Sequence, residues 1–151
     1  MSTGTDRCDS TLTPRLVVRD ARTAVDFYTG IFGAESLAYF EDRTGTVVHA
    51  ALRIGDAMIA LTEEDEASCN ASPASLGGSA VILQFRCEDP DALADRIVEA
   101  GGSVVFPVAD RFYGAREGRV RDPFGHLWMI GREIEDLSAE EVEHRLDQVD
   151  P

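Results

Sequence analysis

The chain has 151 residues, a mass of 16.4 kDa and a hydrophobic fraction of 44%, which suits one well-buried core and is short for two ordinary domains. Its formal net charge of −14 and pI near 4.4 argue against nucleic-acid and anionic-membrane partners, because both need a basic surface. All 14 of its Lys and Arg residues are arginines, so chemistry through a lysine nucleophile or a Schiff base is excluded.

The N-terminal segment, residues 1–11, is small and polar and predicts a disordered arm. It has no apolar stretch typical of a secretory signal, and no run in the chain reaches the ~18 apolar residues of a membrane span. The cysteines, Cys8, Cys69 and Cys87, are odd in number and widely spaced, which suits a reducing compartment. These features predict a cytoplasmic protein.

Residues 12–62 predict a first module of strand, helix and three strands. Apolar and polar residues alternate from Leu12 to Arg19, as in a strand with one buried face. Asp20 is placed to cap a helix with apolar residues at three- and four-residue spacing, which ends at Gly33. The three following strands are predicted at residues 36–40, 47–54 and 57–62.

The same order of elements returns after a polar, small-residue connector at residues 63–78. Placing Asp20 on Asp89 also places Gly33 on Gly102 without a gap, which indicates an internal repeat. The second module therefore covers residues 79–132, with strands predicted at 81–87, 103–108, 119–122 and 127–131.

The last two strands are joined by Asp122-Pro123-Phe124-Gly125, which has the residue preferences of a type I turn. This turn sends Trp128 to the helix side of the sheet and Met129 to the opposite side. In the tail, residues 133–151, Ser138 and Glu141 form a capping box and predict a short C-terminal helix.

Two tandem modules that contain LVVRDARTAVDFYTGIFGAE and end in DPFGHLW resemble the vicinal oxygen chelate superfamily, which includes glyoxalases, bleomycin resistance proteins and extradiol dioxygenases. The segments HAALRIGDAMIALTEE and DRFYGAREGRVRDPFGHLW resemble its bacterial glyoxalase-like subgroup. The resemblance covers roughly residues 12–132. It implies an α+β fold in which each βαβββ module curls into a half-barrel around a concave cavity, and a homodimer with cavities that two subunits can share.

Metalloenzymes of this superfamily place one ligand on the first and one on the last cavity-lining strand of each module, as His, Glu or Gln. The positions that match here are Thr13, His49, Ile82 and Met129. Only His49 is a usual metal ligand, and a shift of one position adds none. The sequence therefore predicts no metal site and no cofactor.

Strand alternation assigns a mixed polar and apolar set of residues to the cavity side, and a wholly apolar set, which includes Val48, to the helix side. Aromatic residues after the sixth predicted strand are placed to stack on a ligand at the cavity mouth. The predicted ligand-binding residues are Arg15, Val17, Phe40, His49, Ala51, Ile82, Gln84, Phe112, Tyr113 and Met129. No catalytic residue is predicted.

The leading hypothesis is a metal-independent protein that binds an aromatic or polycyclic natural product, with sequestration of a drug as in bleomycin resistance. The alternatives are a lyase, isomerase or dioxygenase with an unusual metal-ligand set around His49, and a metal-free biosynthetic enzyme with His49 as general base. A dimeric accessory protein with an empty cavity is a third possibility. Independently of these alternatives, His49 can be explained as a hydrogen-bonded histidine of the barrel.

Overall fold

The computed structural model describes residues 10–150, which form two compact units, one ending at Gly78 and the other starting at Ser79. Each unit is a βαβββ module with one four-stranded mixed sheet that does not close on itself. The predicted α+β fold of two tandem βαβββ modules and a short C-terminal helix is confirmed. The predicted disordered arm lies almost wholly outside the described residues. No helix within residues 10–150 is long and apolar enough to cross a membrane.

The first unit has its strands in the order β1-β4-β3-β2, with β1 parallel to β4 and the other neighbours antiparallel. Its elements are β1 (Arg15–Val18), α1 (Ala21–Ile31), β2 (Glu35–Glu41), β3 (Val47–Ile54) and β4 (Ala57–Glu63). The segment predicted as a connector contains a 3-10 turn (Glu66–Ser68) and a short helix, α2 (Pro73–Leu76).

Helix α1 packs its apolar stripe, which includes Phe27 and Tyr28, on one side of the first sheet. Asp20 caps the helix, because its carboxylate accepts the Thr23 amide proton at 3.2 Å. The carboxylate of Glu63, at the end of β4, accepts the amide protons of Asp20 at 2.8 Å and Ala21 at 2.6 Å. The start of the helix is thereby fixed to the neighbouring strand.

The second unit repeats this arrangement in the strand order β5-β8-β7-β6, with β5 parallel to β8. Its elements are β5 (Ile82–Arg86), α3 (Pro90–Glu99), β6 (Ser103–Asp110), β7 (Ala115–Arg121), β8 (Leu127–Glu133) and α4 (Ala139–Leu146). Helix α3 packs on β6, β7 and β8, over the buried side chains of Val120, Trp128 and Ile130.

The internal repeat holds in the register of the sheets. Arg15 of β1 pairs with Ala60 of β4, and Gln84 of β5 pairs with Met129 of β8. Gln84 lies 69 positions after Arg15, and Met129 lies 69 positions after Ala60, which is the spacing of Asp20 and Asp89. Equivalent strands of the two modules therefore present equivalent positions to the same side of each sheet.

A bulge in β3 reverses the predicted sides of two residues. Phe40 pairs with His49 and Glu41 pairs with Val47, so Val48 is skipped in the ladder. Val47 is 2% exposed and Val48 is 47% exposed, whereas strict alternation predicted Val48 on the helix side. The extra residue shifts the alternation by one position, which no periodicity argument detects.

Strand β7 was predicted to begin at Arg119, but it begins at Ala115. Arg116 pairs with Arg132 and Glu117 pairs with Gly131, so the ladder extends four residues further toward the preceding loop. Residues 115–118 are Ala, Arg, Glu and Gly, which place no large apolar side chain on either side of the strand and therefore give no apolar alternation. Strand β1 is shorter than predicted, since it spans only Arg15–Val18.

Candidate functional site

The side of the second sheet opposite α3, which we call the second-unit face, carries the most developed group of polar side chains. Cross-strand register arranges its residues in rows, with one residue from each strand. One row consists of Gln84, Met129, Arg119 and Phe106, and the next consists of Arg86, Gly131, Glu117 and Ala109.

A recess of about 200 Å³ opens at the end of the second row. Its walls are formed by residues from β5, β7 and β8 and by Tyr113 from the loop before β7, and they include Gln84, Arg86, Ala115, Glu117, Gly131 and Glu133. A complete pocket for a drug-sized molecule has roughly 300–1,000 Å³. The recess therefore suits one functional group of a ligand, with the remainder lying over the sheet.

Glu117 places a carboxylate in the wall of this recess and is only 7% exposed. The hydroxyl of Tyr113 donates a hydrogen bond to its Oε1. The position opposite Glu117 is Gly131, where an added Cβ would collide with the Glu117 Cβ and lie 2.7 Å from the Arg116 carbonyl oxygen. Glycine at this position therefore leaves the space that the glutamate side chain fills.

The phenol of Tyr113 stays protonated over the physiological range. Burial, followed by the hydrogen bond to the Glu117 carboxylate, raises the pKa of Tyr113 to about 12. Since the neutral phenol is the donor, the Tyr113–Glu117 pair persists wherever the carboxylate is ionised.

The loop that carries Tyr113 is held by the C-terminal segment. The amide groups of Ile134 and Glu135 donate to the Gly114 carbonyl oxygen at 2.9 and 3.1 Å. Arg145 of α4 donates to the Phe112 carbonyl oxygen at 3.1 Å and pairs with Glu135 at 2.9 Å. Phe112 itself contacts Tyr113 edge to face, with ring centroids 5.1 Å apart. Helix α4 thus positions the aromatic loop beside the recess.

Two arginines on this face are directed at Phe106. The guanidinium carbons of Arg111 and Arg119 lie 5.0 and 4.9 Å from its ring centroid. Arg111 also donates to the backbone carbonyl oxygen of Glu117 at 3.1 Å. The Nε of Arg119 is buried and has no hydrogen-bond acceptor within the described part of the chain. Both cations are therefore positioned by the aromatic ring.

The predicted ligand residues of the first unit divide into two groups on the side opposite α1. Phe40 is 59% exposed and stacks on His49, with ring centroids 6.3 Å apart and an interplanar angle of 20°. Arg15 and Ala51 both pair with Ala60 and so lie in one row, as their predicted side requires. Val17 pairs with Thr62, which is 5% exposed.

Arg15 lines a recess of about 460 Å³ that does not include His49. Apart from Val47 and Val48, the other walls of this recess are polar, and they include the acidic residues Asp42, Glu63, Glu64 and Asp65. In the second unit, by contrast, Gln84 and Met129 are direct neighbours, and Ile82 lies one row away beside Leu127. The ten predicted residues therefore fall equally in the two units and do not form one cluster within either of them.

The resemblance implied one metal-ligand position on the last strand of each module, and His49 does not lie on that strand. His49 lies on β3, the third strand of its module, and the equivalent of Met129 on the last strand is Ala60. Within residues 10–150, no three His, Cys, Asp or Glu side chains are grouped to hold a metal ion. The donor groups at these positions do not fit a metal centre of the kind that the resemblance implies.

Glu117 was missed by sequence reasoning, although the repeat contains a signal for it. Ala50 pairs with Leu61 on β4, and Gly118 pairs with Ile130, which lies 69 positions after Leu61. The residues before them, His49 and Glu117, are therefore equivalent in the two modules. His49 was among the predicted ligand-binding residues. Its equivalent in the second module of the repeat is Glu117, which was not predicted.

Comparison with known proteins agrees with this architecture. Two relatives, the uncharacterized proteins Mb0911c of Mycobacterium bovis and Rv0887c of Mycobacterium tuberculosis, are each 37% identical over 135 residues. The matches cover 87% of this chain and 89% and 79% of the relatives, respectively.

Among solved structures, TioX of Micromonospora sp. ML1 is 27% identical with a TM-score of 0.61, over 85% of this chain and 100% of TioX. The fosfomycin resistance protein FosX of Listeria monocytogenes, solved with Mn(II) and sulfate, is 20% identical with a TM-score of 0.64, over 91% of this chain and 98% of FosX. At 20% identity, the likeness to FosX concerns the fold alone. The family model of the glyoxalase/bleomycin resistance protein/dioxygenase superfamily matches residues 7–130, and the chain belongs to this superfamily.

Proposed function

We propose that this protein binds a small aromatic or polycyclic molecule without a metal ion, and that the second-unit face provides the main contacts. The observation that carries this proposal is the recess beside Tyr113. It combines an aromatic ring, the amide of Gln84 and the buried carboxylate of Glu117. A few polar groups next to apolar and aromatic surface are the usual composition of a small-molecule site.

The metal-independent form of the proposal is supported by the chemistry of the donor positions. The last strand of each module offers Ala60 and Met129 where a metalloenzyme needs a strong ligand. In an enzyme that uses His49 as general base, a neighbouring group would orient the imidazole. In residues 10–150 the contact made by His49 is its stack on Phe40, which suits ligand stacking better than proton transfer.

Sequestration of a toxic compound is the physiological role that fits this binding function, and the superfamily includes bleomycin resistance proteins. We further propose a homodimer, because large apolar side chains such as Phe40, Ile82, Val104 and Val105 are 43–59% exposed on the strands. Light scattering coupled to size exclusion tests the dimer directly. A monomer at micromolar concentration would contradict it.

The binding function is tested by screening planar aromatic compounds for an increase in melting temperature. We expect hits whose effect disappears in Tyr113→Ala, because that variant removes the ring beside the recess. For the first unit, Phe40→Ala and Arg15→Ala are compared with Tyr39→Ala. Tyr39 is the matched control, since it pairs with Ala50 on the opposite side of β2 from Phe40. Hits that persist in all variants would place the ligand elsewhere.

The metal-independent form has its own test. Elemental analysis of the purified protein should find no stoichiometric Zn, Ni, Mn or Fe, and the melting-temperature shifts should be unchanged by a chelator. A stoichiometric metal whose removal abolishes binding would replace this proposal with the metalloenzyme alternative. For sequestration, expression of the protein should raise the resistance of a sensitive bacterium to the compound that binds, and Tyr113→Ala should abolish the gain.

A further inference from the structure

The carboxylate of Glu117 has more hydrogen-bonding capacity than the protein uses. A carboxylate offers about four lone-pair positions, and the Tyr113 hydroxyl is its one donor in the described part of the chain. Glu117 is nonetheless 7% exposed and lines the recess. Because a buried charge is costly unless it is paired, the remaining oxygen positions favour a donor that enters through the recess.

The neighbouring cations make no ion pair with this carboxylate in the described part of the chain. Arg111 and Arg119 lie over the ring of Phe106, and the N–H groups of Arg111 are bound by the carbonyl oxygens of Pro107 and Glu117. No ion pair joins the side chain of Glu117 to a basic group within residues 10–150. Glu117 therefore lines the recess with no salt bridge to a basic side chain of the described residues.

Two arginines, Arg86 and Arg132, line the recess, and within residues 10–150 neither makes an ion pair with Glu117. Arg86 is paired with Glu133 at 3.5 Å, and the side chains of both are about three-quarters exposed, at 76% and 74%. Solvent screens such a pair, so its field at the recess is weak. The net charge of −14 also raises the local concentration of cations around the whole protein.

We propose that the Glu117 carboxylate recognises a protonated amine, so that the ligand of the second-unit face is an amine-bearing, cationic small molecule. The ammonium group donates to the Glu117 oxygen positions that Tyr113 leaves open. The amide oxygen of Gln84, in the same recess, is a second acceptor. This inference rests on the proposed small-molecule-binding function and names the chemical class of its ligand.

Three probes with one ring and different charge test the assignment: benzylamine, benzyl alcohol and benzoate. Each is titrated into the ¹⁵N-labelled full chain at physiological salt, and the amide signals of Ala115 and Gly131 are followed. We expect benzylamine to bind about tenfold tighter than benzyl alcohol, because hydrogen bonds to a charged, buried group are the strong ones. Benzoate should bind more weakly than either.

Glu117→Gln should bring the affinity for benzylamine down to that for benzyl alcohol, since glutamine keeps the size and an acceptor for Tyr113 but carries no charge. The matched control is Glu99→Gln, which removes one charge from an exposed side chain of α3, outside the recess, and should leave the preference intact. Equal effects of the two variants would mean that the preference is only long-range attraction, and would overturn the proposal.

Circular dichroism checks that Glu117→Gln is folded. If Glu117→Gln does not fold, Tyr113→Phe serves as the second variant, because it removes the competing hydrogen-bond donor and keeps Glu117. Its preference for benzylamine should be kept or increased, and a loss would overturn the proposal. If benzyl alcohol and benzoate bind to this face as tightly as benzylamine, the amine assignment fails and the binding function stands. If none of the three probes moves these signals, both fail.

Discussion

Replacement of Asp122 by alanine should destabilise the second unit more than any other single change in a turn. Its carboxylate is 2% exposed and accepts three protons, from the amides of Phe124 at 2.9 Å and His126 at 3.0 Å and from Nε1 of Trp128 at 2.9 Å. Trp128 is itself 3% exposed, so water cannot replace the lost acceptor. Each hydrogen bond to a charged group contributes about 1.5–3 kcal/mol, and a buried donor left unsatisfied costs about 1–3 kcal/mol.

The expected loss is about 3–5 kcal/mol, because the two turn amides are only partly buried and can bind water in the variant, whereas Trp128 cannot. This is a large share of the ~5–15 kcal/mol that stabilises an ordinary domain. The β7–β8 register that places Arg119 beside Met129 depends on the same turn. The substitution should therefore weaken ligand binding together with stability.

The first unit provides a matched control for this prediction. Asp42 begins a turn with the same pattern, since its carboxylate accepts the amide protons of Thr44 at 2.8 Å and Thr46 at 3.1 Å. Asp42 is exposed and has no tryptophan partner, so Asp42→Ala should cost distinctly less. A double-mutant cycle of Asp122→Ala with Trp128→Phe should show a coupling of about 1–3 kcal/mol.

The free energy of unfolding of the three single variants and the double variant is measured in urea by far-UV circular dichroism. Tryptophan fluorescence is unsuitable, because Trp128 is the single tryptophan and is absent from Trp128→Phe. The midpoint should fall most for Asp122→Ala, with little change in slope. If Asp122→Ala and Asp42→Ala lower it equally, the buried tryptophan bond contributes nothing and the reasoning is refuted. A coupling near zero in the cycle would refute it independently.

Three further predictions concern the recess and the pH dependence of folding. Gly131→Ala should cost about 1–3 kcal/mol in urea unfolding, because the new Cβ displaces Glu117. A tyrosine absorbance titration should show a component near pH 12 that is missing in Tyr113→Phe. Since the folded pKa of Tyr113 is raised above its usual 10, the stability that it contributes is present below pH 10 and is lost as pH rises toward 12. Hydrogen bonds, above all the one with Ser75, lower the pKa of Glu64 from 4.5 to about 2. The stability that Glu64 contributes is therefore present above pH 4.5 and is lost as pH falls toward 2. In Glu64→Gln, the free energy of unfolding should depend less on pH within that window.

The fold could be predicted largely because its signals are local. Asp20 and Asp89 are helix caps at the same place in two successive modules, and each is followed by an apolar stripe of helical spacing. The turn at Asp122 could be predicted from four consecutive residues, and it does place Trp128 on the helix side. Signals of this kind need no knowledge of what each strand pairs with.

The candidate site could be predicted only in part, because its key residue depends on pairing. Glu117 lies in a stretch with charged residues on both faces, where alternation has no apolar side to detect. Its importance comes from burial, and burial comes from the glycine across the ladder and the loop that α4 holds in place. Neither relation is visible along the chain. The bulge at Val48 is hidden for the same reason, since one skipped residue changes the face without changing the composition.

The equivalence of His49 and Glu117 carries the argument one step further. Both modules of the internal repeat have a polar group at one position of the third strand, on the side opposite the helix. In the first module this group is a histidine stacked on an exposed phenylalanine, and in the second it is a buried carboxylate that accepts a hydrogen bond from a part-exposed tyrosine. An imidazole and a carboxylate at equivalent positions offer different chemistry, because the first supplies a flat ring and the second an anion. Each module is therefore best tested by its own variant, Phe40→Ala in the first and Glu117→Gln in the second, and the preference for an amine should be lost only in Glu117→Gln.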